Sequence, residues 1–194
     1  MIRVTGGRLR GRVLPARVPA GVRPTAGRVR EAVFSMVGQH LEGWSMLDLF
    51  GGSGLMAIEA ASRGAAPVTV VDRSPASAAC VRENARAVGA AVEVRVGDAG
   101  RLRLEPADLV YLDPPFREDV APWIARAATL AKRVLVAEAR APAAWPPPPE
   151  GFTLERTREY GDVAVALYVR AGALAGGPEA DEVGDDRGVV EGDG

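Results

Sequence analysis

Between Trp44 and Glu138, short β-prone runs alternate with stretches of helical character. Several of these runs are almost wholly apolar, as is typical of strands that helices cover on both faces, and most of the intervening segments are long enough for a crossover. The alternation therefore predicts a parallel α/β sheet. The predicted strands cover residues 46–50, 68–72, 92–96, 109–113 and 134–138, and the predicted helices cover 54–63, 75–88 and 119–130.

The end of the chain combines a hairpin signal with a change in composition. After a proline-rich linker, Gly161-Asp162 separates two β-prone runs, 152–160 and 163–169, which predicts an antiparallel hairpin. From Gly172 onward the sequence is rich in Gly, Asp and Glu and has too few apolar residues to pack. We therefore expect a disordered acidic tail over 172–194.

The start of the chain is basic. Gly6-Gly7 separates the β-prone runs 2–5 and 8–14, which predicts a small hairpin, and 27–40 has the apolar spacing of an amphipathic helix. The first 30 residues contain eight arginines and no acid, whereas the stretch from Gly172 contains seven acids and one arginine. An uncompensated basic segment is typical of a surface that binds a polyanion. We expect 1–40 to form a basic extension beside an α/β domain at 41–171.

Composition limits the chemistry. The 194 residues correspond to one domain, and no run approaches the roughly 18 apolar residues of a membrane span. A single cysteine (Cys80) and a single histidine (His40) cannot form an internal disulfide or a Cys/His zinc cluster. The first residues lack the apolar region of a signal peptide. We expect a cytoplasmic protein that uses carboxylates, backbone groups and a cofactor, without a bound metal.

A glycine-rich loop follows the first predicted strand of the domain. In Asp48-Leu49-Phe50-Gly51-Gly52-Ser53-Gly54 the glycines let the backbone approach a ligand, and the following helix offers unpaired N–H groups. Gly52, Gly54 and Ala57 also satisfy the dinucleotide fingerprint G-x-G-x-x-A, and Asp72 ends the next strand, where a carboxylate can accept ribose hydroxyls. The loop alone therefore fits NAD or S-adenosylmethionine.

The carboxylate of Asp48 distinguishes these two cofactors. Inside the turn it would repel a pyrophosphate but could bind the ammonium group of a methionine moiety, which favours S-adenosylmethionine. Asp98, after the third predicted strand, is placed to recognise the exocyclic amine of adenine. The predicted cofactor site consists of Asp48, Phe50, Gly51, Gly52, Ser53, Gly54, Asp72, Arg73, Asp98, Ala99 and Asp113.

The fourth predicted strand leads directly into Asp113-Pro114-Pro115-Phe116. This motif resembles the [N/D/S]-P-P-[F/Y/W] signature of methyltransferases that modify amino groups conjugated to a planar system. Such an amine is a poor nucleophile because its lone pair is delocalised. The Asp113 carboxylate and the Pro114 carbonyl can accept its two N–H bonds, Phe116 can stack on the ring, and the prolines hold the loop rigid. We predict that Asp113, Pro114, Pro115 and Phe116 form the catalytic motif.

The N-terminal segment resembles a narrower family. Thr5-Gly6-Gly7-Arg8-Leu9-Arg10-Gly11-Arg12, Arg23-Pro24-Thr25 and Arg28-Val29-Arg30-Glu31 are similar to sequence blocks of the bacterial 16S rRNA guanine(966)-N2 methyltransferase family, as are the glycine loop and the D-P-P-F motif. The resemblance implies an α/β, Rossmann-like class I methyltransferase fold. Its sheet would be mostly parallel and seven-stranded, with a C-terminal antiparallel hairpin and an N-terminal β-hairpin extension.

The same resemblance implies S-adenosylmethionine as the cofactor and 16S rRNA, or the small ribosomal subunit, as the partner. The basic extension would then bind RNA, because arginines that track phosphates supply most of the sequence-independent affinity of such proteins. A monomer is favoured, although the sequence does not determine the oligomeric state. The predicted RNA contacts are Arg3, Arg8, Arg10, Arg12, Arg23, Arg28 and Arg30.

Two alternatives share parts of this pattern. A DNA adenine-N6 methyltransferase would have the same core motifs, but it normally carries an additional target-recognition region for which this chain has no room. A non-enzymatic NAD-binding regulator would use Gly52-x-Gly54-x-x-Ala57, and Asp113–Phe116 would then be only a turn.

Overall fold

The computed structural model describes residues 2–15 and 26–173. Arg23 and nearly all of the predicted acidic tail lie outside these ranges, so the predictions for them are not addressed by the fold. Within the described ranges, no helix is both long enough and apolar enough to cross a membrane.

The chain contains nine strands and four α-helices within the described residues. The helices are α1 (Gly27–Val37), α2 (Leu55–Ser62), α3 (Pro75–Val88) and α4 (Ala121–Ala128). The strands are β1 (Ile2–Arg3), β2 (Val13–Leu14), β3 (Met46–Asp48), β4 (Val68–Asp72), β5 (Glu93–Val96), β6 (Ala107–Leu112), β7 (Ala131–Arg140), β8 (Phe152–Tyr160) and β9 (Val163–Arg170).

Strands β3 to β9 form one sheet of seven strands in the order β5-β4-β3-β6-β7-β9-β8. The first five strands in this order are parallel, and β9 runs antiparallel between β7 and β8. The predicted Rossmann-like sheet with a terminal antiparallel hairpin is therefore confirmed. Because parallel strands end at the same edge, the loops after β3, β4, β5, β6 and β7 meet there.

The bounds of β7 and the end of α1 differ from the predicted ones, and strand pairing and a glycine explain the differences. β7 extends over 10 residues because it pairs with β6 on one side and with β9 on the other. The helix predicted at 27–40 ends at Val37, since Gly38 adopts a φ of 127° that breaks the helical conformation.

The predicted N-terminal strand 8–14 is wrong over most of its length. Only its end, β2, pairs with β1, and Gly7–Leu9 forms a short 3₁₀ helix instead. Leu9 is buried in a small core cluster with Ile58 of α2, and its backbone N–H donates to the Ser62 hydroxyl at 2.9 Å. This anchoring of Leu9 on α2 takes the place of strand pairing.

Helices cover both faces of the sheet. Val33 of α1 packs with Tyr111 and Val136 in the core cluster on one face, whereas Ile124 of α4 packs with Leu135 in the cluster on the other. Helix α1, which belongs to the predicted basic extension, therefore shares the core of the α/β domain.

Candidate active site

A cleft of about 720 Å³ opens at the edge of the sheet where the parallel strands end. This volume falls within the range of roughly 300–1,000 Å³ that is typical of small-molecule sites. Nearly all residues predicted for the cofactor site and the catalytic motif line it together. These are Asp48, Phe50, Gly51, Gly52, Ser53, Asp72, Arg73, Asp98, Ala99, Asp113, Pro114, Pro115 and Phe116.

Two glycines of the loop are required by close packing against neighbouring elements. A Cβ added to Gly51 would clash with Cγ1 of Val70, so the loop passes directly over β4. Gly54, which was predicted to bind the cofactor, does not line the cleft; it starts α2 with a φ of 79° and packs against Val81 of α3. Gly54 therefore allows the loop to turn into the helix.

The carboxylate of Asp72 accepts hydrogen bonds from two backbone N–H groups. One carboxylate oxygen accepts a hydrogen bond of 2.8 Å from the Gly52 N–H, and the other accepts one of 2.7 Å from the Ser74 N–H. In the loop after the neighbouring strand β5, Asp98 is about half exposed and accepts a hydrogen bond of 2.8 Å from the Gly100 N–H. Each carboxylate thus has a fixed orientation at a strand end, as an acceptor for ribose or adenine groups requires.

Asp48 is the most buried carboxylate of the cleft, with 1% of its surface exposed. It accepts a hydrogen bond of 3.0 Å from the Phe50 N–H. Burial, with a smaller contribution from the negative charges of Asp113 and Asp72, raises the pKa of Asp48 to about 7 against the opposing effect of the Phe50 hydrogen bond. A positively charged ligand group would relieve this desolvation and repulsion. The site therefore fits a cofactor that carries an ammonium group.

The catalytic motif presents an aromatic ring to the cleft. Asp113 is half-buried and Pro114 is buried, so the start of the motif is fixed against the sheet. Phe116 is 39% exposed, and Val96 is the other large apolar side chain exposed to this degree among the described residues. An exposed ring beside a carboxylate suits the capture of a planar base.

Tyr111, Glu138 and Trp123 are among the cleft residues that the sequence analysis did not predict. Tyr111 and Glu138 are both buried, and the Tyr111 hydroxyl donates to Glu138 at 2.6 Å. Trp123 packs edge-on against Phe50, with ring centroids 4.8 Å apart, and donates to Glu118 at 3.0 Å. Glu138 had a sequence signal, because it stands at the end of a predicted strand, where ligands bind in such sheets.

The predicted RNA contact Arg30 is wrong. Its side chain is 4% exposed, forms an ion pair with Glu59 at 3.3 Å and donates to the backbone carbonyl of Arg3 at 2.9 Å. A guanidinium used in this way inside the protein cannot reach a phosphate. The other predicted arginines within the described ranges are exposed: Arg3, Arg8, Arg10, Arg12 and Arg28.

Acidic groups in the cleft do not form a metal site. Throughout residues 2–15 and 26–173, no group of three or more His, Cys, Asp or Glu side chains has the geometry to hold a metal ion.

The seven-stranded sheet, the carboxylate-lined glycine loop and the D-P-P-F motif in one cleft define a class I methyltransferase. The chain matches the family described as conserved hypothetical protein 95 over residues 2–169, and it belongs to that family.

Individual relatives agree with this assignment. Ribosomal RNA small subunit methyltransferase D of Escherichia coli K12 is 32% identical over 179 residues, covering 87% of this chain and 90% of that protein. The protein of the same name from Haemophilus influenzae is 33% identical over 128 residues, covering 62% of this chain and 66% of that protein. The solved structure of Escherichia coli yhhF, described as a methyltransferase, has a TM-score of 0.76 at 32% identity, covering 87% and 97% of the two chains.

These similarities confirm the predicted family and the predicted class of enzyme. Together with the buried carboxylate of the glycine loop, they support S-adenosylmethionine as the cofactor.

Proposed function

We propose that this protein transfers a methyl group from S-adenosylmethionine to the exocyclic N2 of a guanine in 16S rRNA. The observation that carries the proposal is that Asp113 and the exposed ring of Phe116 open into the same cleft as the buried Asp48. The same cleft therefore contains a binding site for a cationic cofactor and an aromatic ring on which a planar base can stack. The name of the Escherichia coli relative supports a small-subunit rRNA substrate, and the resemblance of the N-terminal blocks supports guanine N2.

Each part of the cofactor is assigned to a carboxylate at the end of a different strand. When bound, S-adenosylmethionine supplies a methyl group on a positively charged sulfur. Asp48 at the end of β3 would bind its ammonium group, Asp72 at the end of β4 would accept hydrogen bonds from its ribose hydroxyls, and Asp98 after β5 would accept one from its adenine amine. Because these strands are neighbours, the three carboxylates lie in the same sequence along the edge of the sheet.

The catalytic motif prepares the target amine. Asp113 and the Pro114 carbonyl accept the two N–H bonds of guanine N2, which directs the nitrogen lone pair toward the methyl carbon. Positive charge develops on the nitrogen as the N–C bond forms and the bond between the methyl carbon and sulfur breaks, which leaves S-adenosylhomocysteine. The fixed Asp113 carboxylate stabilises that charge and can accept the proton that the methylated nitrogen then releases. Phe116 stacks on the base and holds the amine in this orientation.

The basic surface starts beside the cleft. Ala26 lines the cleft, and two residues later Arg28 is exposed on α1. Arg8 and Arg10 are exposed on the hairpin that packs on α2. These side chains provide a surface for the phosphates of a folded RNA whose target base is turned out into the cleft.

Nucleoside analysis of 16S rRNA tests the proposal. A strain that lacks the gene is complemented with the wild type, with Asp113→Ala or with Glu83→Gln, an exposed residue of α3 that serves as a matched control. We expect N2-methylguanosine at one 16S rRNA position to be lost in the deletion strain, restored by the wild type and the control, and not restored by Asp113→Ala. Unchanged N2-methylguanosine in the deletion strain would contradict the proposal.

The purified protein separates this function from the alternatives. Thermal melts should shift with S-adenosylhomocysteine and not with NAD, because Asp48 opposes a pyrophosphate. Methyl transfer from labelled cofactor should occur with small-subunit rRNA, free or assembled, and not with duplex DNA. Transfer to DNA adenine would favour the DNA methyltransferase instead.

A further inference from the structure

The cleft extends beyond the residues that bind the cofactor. Asp48 and Asp72 are the last residues of β3 and β4, and Asp98 follows β5, so all three lie on one side of the sheet order. On the other side, Glu138 of β7 and Val163 at the start of β9 also line the cleft. Asp113, after β6, lies between the two halves. The second half therefore adjoins the place where the target amine is held.

Glu138 and Asp113 occupy neighbouring positions in this second half. In the parallel ladder Leu112 of β6 pairs with Ala137 of β7, so the following residues, Asp113 and Glu138, come side by side. Adjacent strands are about 4.8 Å apart. Glu138 is 2% exposed and lines the cleft from within strand β7.

Tyr111 fixes the orientation of Glu138. Its hydroxyl donates to Oε1 of Glu138 at 2.6 Å. Burial and the negative charges of Glu138 and Asp113 raise the pKa of Tyr111 well above its ordinary value, so the phenol keeps its proton and acts as the donor.

Two adjacent acceptors match the edge of guanine better than the edge of adenine. Guanine presents its N1–H donor directly beside the N2 amine, whereas the ring nitrogen beside the amine of adenine is an acceptor. A carboxylate next to N1 of adenine would therefore face a lone pair, which leaves both groups without a hydrogen bond at a considerable cost.

We propose that Glu138 selects guanine by accepting a hydrogen bond from N1–H, while Asp113 accepts one from the N2 amine. This inference rests on the proposed function, because it assigns the specificity of the same site. Glu138 touches the base, and Tyr111 acts through Glu138 as a positioning residue.

Substrates with altered bases test the proposal. The position methylated by the wild type is first mapped, and 16S rRNA is then ligated from segments that carry guanine, 2-aminopurine or 6-thioguanine there. 2-Aminopurine keeps the amine but has an acceptor at N1, and 6-thioguanine keeps both the amine and N1–H. Each RNA is supplied naked and in reconstituted subunits, and kcat/KM is measured for the wild type and Glu138→Gln.

We expect the wild type to prefer guanine over 2-aminopurine by about 10- to 100-fold or more. Glu138→Gln should lower this ratio at least about tenfold, since its amide can donate to the N1 acceptor. The ratio of guanine to 6-thioguanine should not change between the two enzymes. A wild type that methylates 2-aminopurine as well as guanine would overturn the proposal, and so would a Glu138→Gln enzyme that loses activity equally on both bases.

Control variants separate recognition from folding. Tyr111→Phe removes the orienting hydroxyl, and we expect a smaller loss of the base preference than in Glu138→Gln. Glu105→Gln changes an exposed carboxylate that precedes β6 at the opposite edge of the sheet, and we expect it to behave as the wild type. If Glu138→Gln does not fold, the wild-type ratio and Tyr111→Phe still decide the matter. A wild type that methylates no guanine contradicts the proposed function itself, which is a distinct result.

Discussion

The carboxylate of Glu59 accepts a hydrogen bond of 2.6 Å from the backbone N–H of Thr5, which joins the N-terminal hairpin to the helix that follows the glycine loop. Glu59 is fully buried on α2 and also pairs with two arginines, Arg30 of α1 and Arg63 at the end of α2. The side chain of Glu59 therefore connects the N-terminal hairpin, α1 and α2.

Replacing Glu59 should destabilise the whole protein. Glu59→Ala leaves Arg30 and Arg63 buried without their common partner, and breaking a buried ion pair in this way costs about 3–5 kcal/mol. Urea denaturation should show a free energy of unfolding lowered by that amount. Glu83→Ala, an exposed change on α3, should stay within about 0.5 kcal/mol of the wild type. A loss below about 1 kcal/mol for Glu59→Ala would show that the network contributes little.

Asp48→Asn should stabilise the protein without cofactor at neutral pH. Because burial raises the pKa of Asp48 from 3.8 to about 7, the folded state keeps a proton that the unfolded state loses across this interval. The wild type therefore loses stability relative to the variant as pH rises from about 4 to about 7, by an amount on the order of 4 kcal/mol. Denaturation of both proteins at several pH values measures this difference, which should level off above pH 7. A constant difference across the range would contradict the assignment.

The same carboxylate should make cofactor binding depend on pH. The ammonium group of the ligand favours ionised Asp48, so the affinity for S-adenosylhomocysteine should rise as pH increases toward about 7. Calorimetry with Asp48→Asn should show weaker binding and a flatter pH profile. If Asp48→Asn bound S-adenosylhomocysteine with wild-type affinity, the ammonium group would have to bind at another residue.

Asp113 should affect the rate far more than cofactor binding. It stabilises charge that exists mainly in the transition state, so Asp113→Ala should lower kcat about a hundredfold or more, as the loss of an oxyanion-hole donor does, while the affinity for S-adenosylmethionine changes little. Asp113→Asn retains one acceptor oxygen and should keep measurable activity. Single-turnover methylation of 16S rRNA at saturating cofactor measures these rates. A near-native kcat for Asp113→Ala would exclude the motif as the active site.

The exposed arginines beside the cleft should determine the salt dependence of RNA binding. Changing Arg8, Arg10 and Arg28 together to Ala should weaken binding and reduce the slope of log affinity against log salt by up to about 0.7–0.9 per lost phosphate contact. Arg86, Arg103 and Arg158 are also exposed and provide a triple control of equal charge. Equal slopes for both triple variants would show that the hairpin and α1 do not contact RNA.

Local signals were sufficient for most of the sheet and for much of the cleft. The apolar runs, the glycine loop and D-P-P-F each identify a strand end without reference to the rest of the chain. The buried network around Glu59 has no such signal, since Thr5 and Arg30 lie 54 and 29 residues away in sequence. An arginine in a basic segment is therefore predicted to be exposed, and only the packing of α1 on α2 shows that Arg30 is inside.

Glu138 illustrates a different limit. Its place at the end of a strand is visible in the sequence, but the role proposed for it depends on the register that sets it beside Asp113 and on the hydrogen bond from Tyr111. Register between strands separated by a helix is fixed by tertiary packing, so the pattern of one strand cannot reveal its neighbour.

The division of the cleft at Asp113 has a consequence for how such enzymes diversify. In the proposed assignment the methyl donor binds on one side of Asp113 and the target base on the other, so residues that contact the base can change while the cofactor site remains intact. An engineer who wishes to redirect the enzyme to another heterocycle should therefore randomise positions 138 and 163 and leave the glycine loop untouched.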